Sequence, residues 1–525
     1  PTDQTACSTP GTASFTVAAS GTGLTYQWRL NGVNLVNGTN IAGATTATLS
    51  LSNLTSANTV AAAAGYDCIV SGTAPCAAAT STRVALTVNT TPSISSQPVA
   101  QTACSTPGTA SFTITAAGTG LTYQWRLNGV NLSDGANVAG STTATLSLSN
   151  LTSANTVAAA SGYDCVVSGA APCAAVTSTR VALTVNTIAT ISGQPANQTT
   201  CAGTAKTFSV TLSAGTTPTY QWQYFNGATW NNVVTGTPAN ITYSNATTAT
   251  LTVTPGAAAV NGTYSYRCVV SVNGCSVTNS NTATLQVYAT PTTAVAGTDQ
   301  TICTTTSNTV LAANTPVNGS GSWSITSGPS TSLSQFSNVN SPNAVFTPAG
   351  GTGTYALAWT ISNGPCSVST DAVNIVVNTA ASISGQPTNQ TTCAGTAKTF
   401  TVTAGGTAPG YQWQYSPDNS TWSNVTNGTP VNITYANGST STLTVTPAAA
   451  AANGTYYYRC VVSVSGCSSV NSNSATLQVY ATPTTADAGP DQAICSNTAS
   501  TLLAANAPVN GTGAWSITSG PSTLL

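Results

Sequence analysis

Between residues 13 and 88 apolar and polar side chains alternate in short runs. SFTVAA, LTYQWRL, TATLSL, GYDCIV and RVALTV are each bounded by turns rich in Gly, Asn and Thr. A period of two puts every second side chain on one face, as in a strand with one buried side. Several such strands within about 100 residues predict two sheets packed face to face.

The pattern then repeats. QTACSTPGTASFT stands at 4–16 and again at 101–113, QTTCAGTAKTF at 198–208 and 390–400, and DQTIC at 299 returns as DQAIC at 491. The chain therefore reads as six modules of three kinds, A-A-B-C-B-C, with a two-module cassette duplicated. The extended links TPSISSQP, IATISGQP, YATPTTA and AASISGQP mark the boundaries, because proline disfavours continued sheet. The predicted modules are 1–90 (without the lead its twin has), 91–188, 189–288, 289–379, 380–480 and 481–525 (truncated). Module six stops where its twin continues, so the sequence reads as part of a longer chain.

Composition narrows the classes. Only 3% of the 525 residues are charged, the net charge is −1, and there is no His, Met or Glu. The apolar runs are broken by Thr, Ser, Asn and Gly well short of the ~20 residues a spanning helix needs, so the chain is not expected to span a membrane. Recurrent β-branched and aromatic residues argue against disorder. Solubility then rests on hydroxyls and amides, and neighbouring molecules repel one another weakly. Neighbouring copies of the chain, or other surface proteins, are the expected partners.

In GYDCIV, Tyr66 stands two residues before Cys68, and Trp28 lies upstream in YQWRL. Tyr163, Trp125 and Cys165, then Tyr266, Trp222 and Cys268, then Tyr458, Trp413 and Cys460, repeat the arrangement in modules two, three and five. It resembles the immunoglobulin-like domain, and the resemblance implies a core Trp packed on the Cys of a facing strand. Val17 stands where that family has its other cysteine, so the usual inter-sheet bridge is absent. The C modules, with AGTDQTIC, SGSWSITSGPS and SPNAVFTPAGGTGTYALAWTISNGPC, resemble PKD-like domains. The expected fold class is thus all-β, a tandem array of Ig-like and PKD-like β-sandwich domains. Such modules are interspersed in very large surface proteins of gliding and biofilm-forming bacteria, so the resemblance implies an extracellular stalk or filament. The alternative is an adhesin whose modules bind a glycan or a protein.

Fifteen cysteines without histidine point to an oxidising setting, and the spacings do not suit zinc. Modules one, two, three and five carry three cysteines each, and module four has two. Laying module four on module three by the shared GTY puts Cys303 on Cys201, Cys366 on Cys275 and Trp359 on Cys268. A position that takes either Cys or Trp is a buried apolar site, so Trp359 joins Trp28, Trp125, Trp222 and Trp413 in the core. Cys68, Cys165, Cys268 and Cys460 are expected to be buried free thiols. The expected bridges are Cys7–Cys76, Cys104–Cys173, Cys201–Cys275, Cys303–Cys366 and Cys393–Cys467. A rival joins Cys268 to Cys275 within one hairpin.

Catalytic chemistry finds no footing. With no His or Glu, two lysines and scattered aspartates, no base, activated nucleophile or metal set can be assembled. No catalytic residue, cofactor or metal is expected, and the chain lacks the basic patches that nucleic acid requires. Asp487 and Asp491 are close, but Val295 replaces the first in module four, which speaks against a shared calcium site. Lys206 and Lys398 are too few for isopeptide cross-links in every module. Trp230 and Trp422 are the candidate contact surface, since aromatic faces stack on sugars; the competing reading packs each on its neighbouring strand. Asn-X-Ser/Thr triplets such as the one at Asn53 are expected by chance in this composition. Alternation also sends Arg29 and Asp67 outward on adjacent strands, as it does Arg126 and Asp164. Exposed pairs, worth about 0 to 1 kcal/mol, are expected there, with Arg83 and Arg180 nearby.

Overall fold

In a computed structural model, which describes residues 1–496 and 500–520, the chain is all-β. It divides after Tyr288 into two compact units.

Module three, in the first unit, shows the plan. Lys206–Ser209, Thr250–Pro255 and Ile241–Ser244 form one sheet in that order. The facing sheet runs Gln198–Cys201, Ala283–Tyr288, Gly262–Ser271, Thr219–Phe225 and Trp230–Asn232. The first strand of the module pairs parallel with its last, Gln198 opposite Leu285, and every other pair is antiparallel. Alternation decides what is buried. Along Gly262–Ser271, Tyr266, Cys268 and Val270 are sealed in the core while Arg267 and Val269 are half-exposed. Trp222 lies directly opposite Cys268, donates Nε1–H to the Thr248 carbonyl at 2.9 Å and tilts against Phe208. Removing so large a buried ring costs about 3–5 kcal/mol. Modules one, two and five repeat this arrangement with Trp28, Trp125 and Trp413 opposite Cys68, Cys165 and Cys460.

Module four, in the second unit, orders its larger sheet Gln300–Cys303, Ser369–Asn378, Gly353–Ser362 and Ser320–Ser327. Trp359 faces Trp323 in register, with ring centroids 5.1 Å apart. Trp323, which the sequence reading left out of the core, holds the place of Trp222 and donates in the same way, to the Ser341 carbonyl. Trp359 holds the place of Cys268. The extra volume is admitted by Gly321, where a Cβ would lie 2.1 Å from the Trp359 ring.

The links are not passive connectors. Ser93–Ser96 pairs antiparallel with Thr115–Ala117 of module two, Thr190–Gly193 with Thr211–Ala214 of module three, and Ser382–Gly385 with Thr403–Gly405 of module five. Each of these three links is an edge strand of the module that follows it, whereas the fourth, YATPTTA, forms no strand beyond Tyr288. In module six the described residues form no strand. The local turn survives, with the Asp487 N–H donating to Asn506 Oδ1 as the Val295 N–H does to Asn314 Oδ1.

Candidate functional site

The parallel first strand sets up the chemistry of the module junctions. Because it follows the last strand of its own module, its terminal cysteine arrives at that module's far end: Cys7 is level with Asn89, Cys104 with Asn186 and Cys303 with Asn378. The Cys-bearing strand runs the other way, so the hairpin after it, with the third cysteine, sits at the opposite end. The first and third cysteines of one module are therefore at opposite poles. Cys7, Cys104 and Cys303 each meet the third cysteine of the following module instead.

The bridges are Cys7–Cys173, Cys104–Cys275 and Cys303–Cys467, with Cα atoms 5.1, 4.9 and 4.9 Å apart. Cys201 and Cys366 are also disulfide-bonded. All five expected pairings within modules are thus corrected: Cys7–Cys76, Cys104–Cys173, Cys201–Cys275, Cys303–Cys366 and Cys393–Cys467 do not form. The Cys268–Cys275 rival fails too, since Cys275 is joined to Cys104. Cys76 and Cys393 are free, exposed thiols.

Hydrogen bonds repeat at every such junction. Asn89 Nδ2 donates to the Ala171 carbonyl at 2.9 Å, Asn186 to the Asn273 carbonyl at 2.8 Å and Asn378 to the Ser465 carbonyl at 3.0 Å, each on the hairpin that carries the bonded cysteine. Gly466, at φ +73°, brings its hairpin so close that a Cβ would lie 2.7 Å from the Thr301 carbonyl oxygen. Loop closure over a separation of 166 residues constrains the unfolded chain by about 5 kcal/mol in entropy models.

Cys68, Cys165, Cys268 and Cys460 are sealed from solvent and form no disulfide. Burial raises the Cys68 thiol and pushes Cys165, Cys268 and Cys460 up to about 11. A protonated thiol in an apolar core is neither nucleophile nor metal ligand. No group of three or more His, Cys, Asp or Glu among the described residues is arranged to hold a metal, and Asp487 and Asp491 are exposed.

On the outer face Arg29 and Asp67 lie in direct register, as do Arg126 and Asp164. Arg29 Nε meets Asp67 Oδ1 at 2.6 Å and Arg83 meets Oδ2 at 3.1 Å; in module two Arg126 and Arg180 clasp Asp164 at 2.7 and 3.0 Å. The expectation of exposed pairs is corrected here. Each carboxylate side chain is only 3% exposed, because two guanidiniums cover it.

Trp230 and Trp422 are half-buried. Arg267 lies over the Trp230 ring at 4.6 Å and Arg459 over Trp422 at 4.4 Å, and Phe225 tilts against Trp230. One face of each ring is thus already occupied, a contact the sequence reading did not foresee. Its signal was the Arg that precedes Cys268 and Cys460 where modules one and two have Asp.

A family model described as a domain of unknown function, DUF8696, matches residues 380–481, which is module five. No curated protein matches the chain. Among solved structures, the I67–I69 fragment of titin is 16% identical over 55% of this chain and 96% of its own, with a TM-score of 0.37. Sidekick-1 immunoglobulin domains 1–5 are 16% identical over 92% and 98%, with a TM-score of 0.28. The insect immune protein hemolin is 15% identical over 74% and 100%, with a TM-score of 0.28. The strand order described above, with its parallel first strand and Trp-on-Cys core, is that of a tandem array of Ig-like sandwiches. No helix among the described residues is long and apolar enough to cross a membrane.

Proposed function

We propose that this chain is a structural repeat region, a length of stalk or filament in an extracellular surface protein of the kind that gliding and biofilm-forming bacteria secrete. Module four serves in it as a PKD-like sandwich among Ig-like ones. The observation that supports this reading is the stagger of the disulfides, each of which ties one module to its successor. Covalent ties between neighbours resist extension, and they add nothing to a ligand site inside a single module. The near absence of charge fits the same role, because it lets copies lie side by side.

The second reading, adhesion to a glycan or protein, finds less support. Its best candidates, Trp230 and Trp422, are half-buried and each already carries an arginine over one ring face.

Pulling single molecules from their ends tests the proposal. With the bridges intact, the shortest covalent path from Cys7 to Cys275 crosses by way of Cys173 and Cys104. It extends to about 240 Å, against about 900 Å once reduced, at ~3.4 Å per residue. The load-bearing reading expects that difference. Equal extension before and after reduction would remove its support.

A further inference from the structure

Three of the four buried thiols share a hairpin with a bridged cysteine. Cys165 lies in Tyr163–Ser168, Cys268 in Gly262–Ser271 and Cys460 in Gly454–Ser463, and the turn after each strand carries Cys173, Cys275 or Cys467. The bridged cysteine follows the thiol by eight residues in module two and by seven in modules three and five. Module four differs: Cys366 is disulfide-bonded, but seven residues before it stands Trp359.

The folded hairpin keeps thiol and bridge apart. The Cys165 N–H donates to Ser178 Oγ on the returning arm at 2.9 Å, as the Cys268 N–H does to Ser280 and the Cys460 N–H to Ser472, both at 2.9 Å. All three serines are buried. The Ser178 N–H donates in turn to the Cys165 carbonyl, so Cys165 is fixed opposite Ser178 while its side chain faces Trp125. Three residues of extended strand, about 10 Å, separate it from Ser168, and the turn with Cys173 lies beyond. A disulfide needs Cα atoms within about 7 Å, so the two sulfurs meet only if the strand comes away.

We infer that Cys165, Cys268 and Cys460 are latent nucleophiles: when its strand opens, each takes over the bridge in its own hairpin and unties the preceding module. Out of the core, the Cys165 thiol gives its proton to water at ordinary alkaline pH, and the thiolate attacks Cys173 Sγ. The Cys165–Cys173 bond forms as the Cys7–Cys173 bond breaks, and Cys7 leaves as a thiolate that takes up a proton. One thiol and one disulfide stand on each side of the step, so no oxidant or reductant enters. Attack on Cys7 Sγ would keep the modules tied. Closing a loop of eight residues, rather than one near the 166 of the native bridge, favours the local product by about a hundredfold in an open chain. That product cannot sit in the native strand, so the module stays open and the chain between Cys7 and Cys173 is free to extend. Module four, with Trp359, has no such release. The exchange needs only that a module open, by whatever means, and so stands apart from load bearing.

The test uses the whole 525-residue chain. Iodoacetamide first blocks the exposed thiols Cys76, Cys393 and Cys495 while the buried ones are shielded. The protein is then held in urea at about pH 8.5 without added thiol, quenched in acid and digested unreduced for mass spectrometry. Cys165–Cys173, Cys268–Cys275 and Cys460–Cys467 should replace the native bridges, about a hundredfold over distant pairings. Cys165→Ala should keep Cys7–Cys173 over the time in which the other two exchange, and Trp359→Cys should draw Cys366 into exchange with position 359. Without urea the local products should form only as fast as strands open. There Ser178→Ala, which takes the acceptor from the Cys165 N–H, should speed the exchange at Cys165 about tenfold, and this variant carries the test if Cys165→Ala does not fold. Native bridges that persist in the open chain, distant pairs as frequent as local ones, or a rate at Cys165 indifferent to Ser178→Ala each overturn the exchange.

Discussion

Modules one and three share a core but solve their outer face differently. In module one the residue after the core Trp is Arg29, its partner across the strands is Asp67, and Arg83 completes a triplet around one buried carboxylate. In module three the same two places hold Gln223 and Arg267. The cation has crossed to the facing strand, donates to Gln223 Oε1 at 2.9 Å and lies over Trp230. Both devices pin the register of the Trp and Cys strands on a face that is otherwise uncharged. They differ in what they cannot lose. The carboxylate of module one is held by two charges that have no other anion near them, whereas Arg267 leans on a neutral amide and a ring.

The sharpest break is therefore Asp67→Ala. It leaves Arg29 and Arg83 facing each other without a counter-charge and should cost module one about 2–4 kcal/mol, less than a fully buried pair because both arginines keep some solvent. Urea unfolding followed by the intrinsic fluorescence of that module measures it. A loss no larger than that from Gln223→Ala would erase the distinction between the two devices.

Next in size is the buried thiol common to both kinds of module. The folded thiol of Cys165 titrates at about 11 and the unfolded one near 9. Between these values the native state keeps a proton that the unfolded state has lost, so stability falls as pH rises from about 9 to 11. The full shift corresponds to roughly 2–3 kcal/mol per thiol. Cys165→Ala should remove that part of the alkaline loss, with the neighbouring tyrosines left as background. Module four, with Trp359 in the place of the thiol, should lack it. An unchanged alkaline slope in the variant would show that the thiol does not feel its burial.

Smaller again is Trp230→Ala, which strips the ring from beneath Arg267 and should cost about 1–2 kcal/mol, by thermal unfolding. Arg267→Lys should lose less, since a lysine keeps the charge and forfeits the planar stack. Last, raising salt from low to about 1 M should weaken module one by a few tenths of a kcal/mol and leave module three nearly unmoved, because only the first device rests on ion pairs.

These residues also show how far the chain could be read in advance. The sandwich, the repeat and the Trp-Tyr-Cys core were legible because period two and exact repetition both leave marks on a linear sequence. The register of Arg29 with Asp67 followed from counting outward from the core pair. Their burial did not, because it depends on Arg83 folding over the same carboxylate from the segment that leads into Leu86–Asn89. Cysteine pairing was illegible for another reason. Near-identical modules offer near-identical partners, and the choice between Cys76 and Cys173 for Cys7 depends on which pole each occupies. The parallel pairing of Gln4–Cys7 with Leu86–Asn89 decides that, and spacing alone does not express it. Trp323 escaped because aligning modules three and four on GTY matched only the strand that carries Trp359.

The stagger of the bridges has a consequence for an enzyme that cuts peptide bonds. Cys7–Cys173 spans every bond from residue 8 to 172, and Cys104–Cys275 every bond from 105 to 274. A protease that nicks an exposed loop in module one, such as the one around Asn37, leaves two fragments still joined through sulfur. A nick between 105 and 172 leaves them joined twice. Severing the chain there takes a cut and a reduction together, and a digest would run as an intact band until thiol is added.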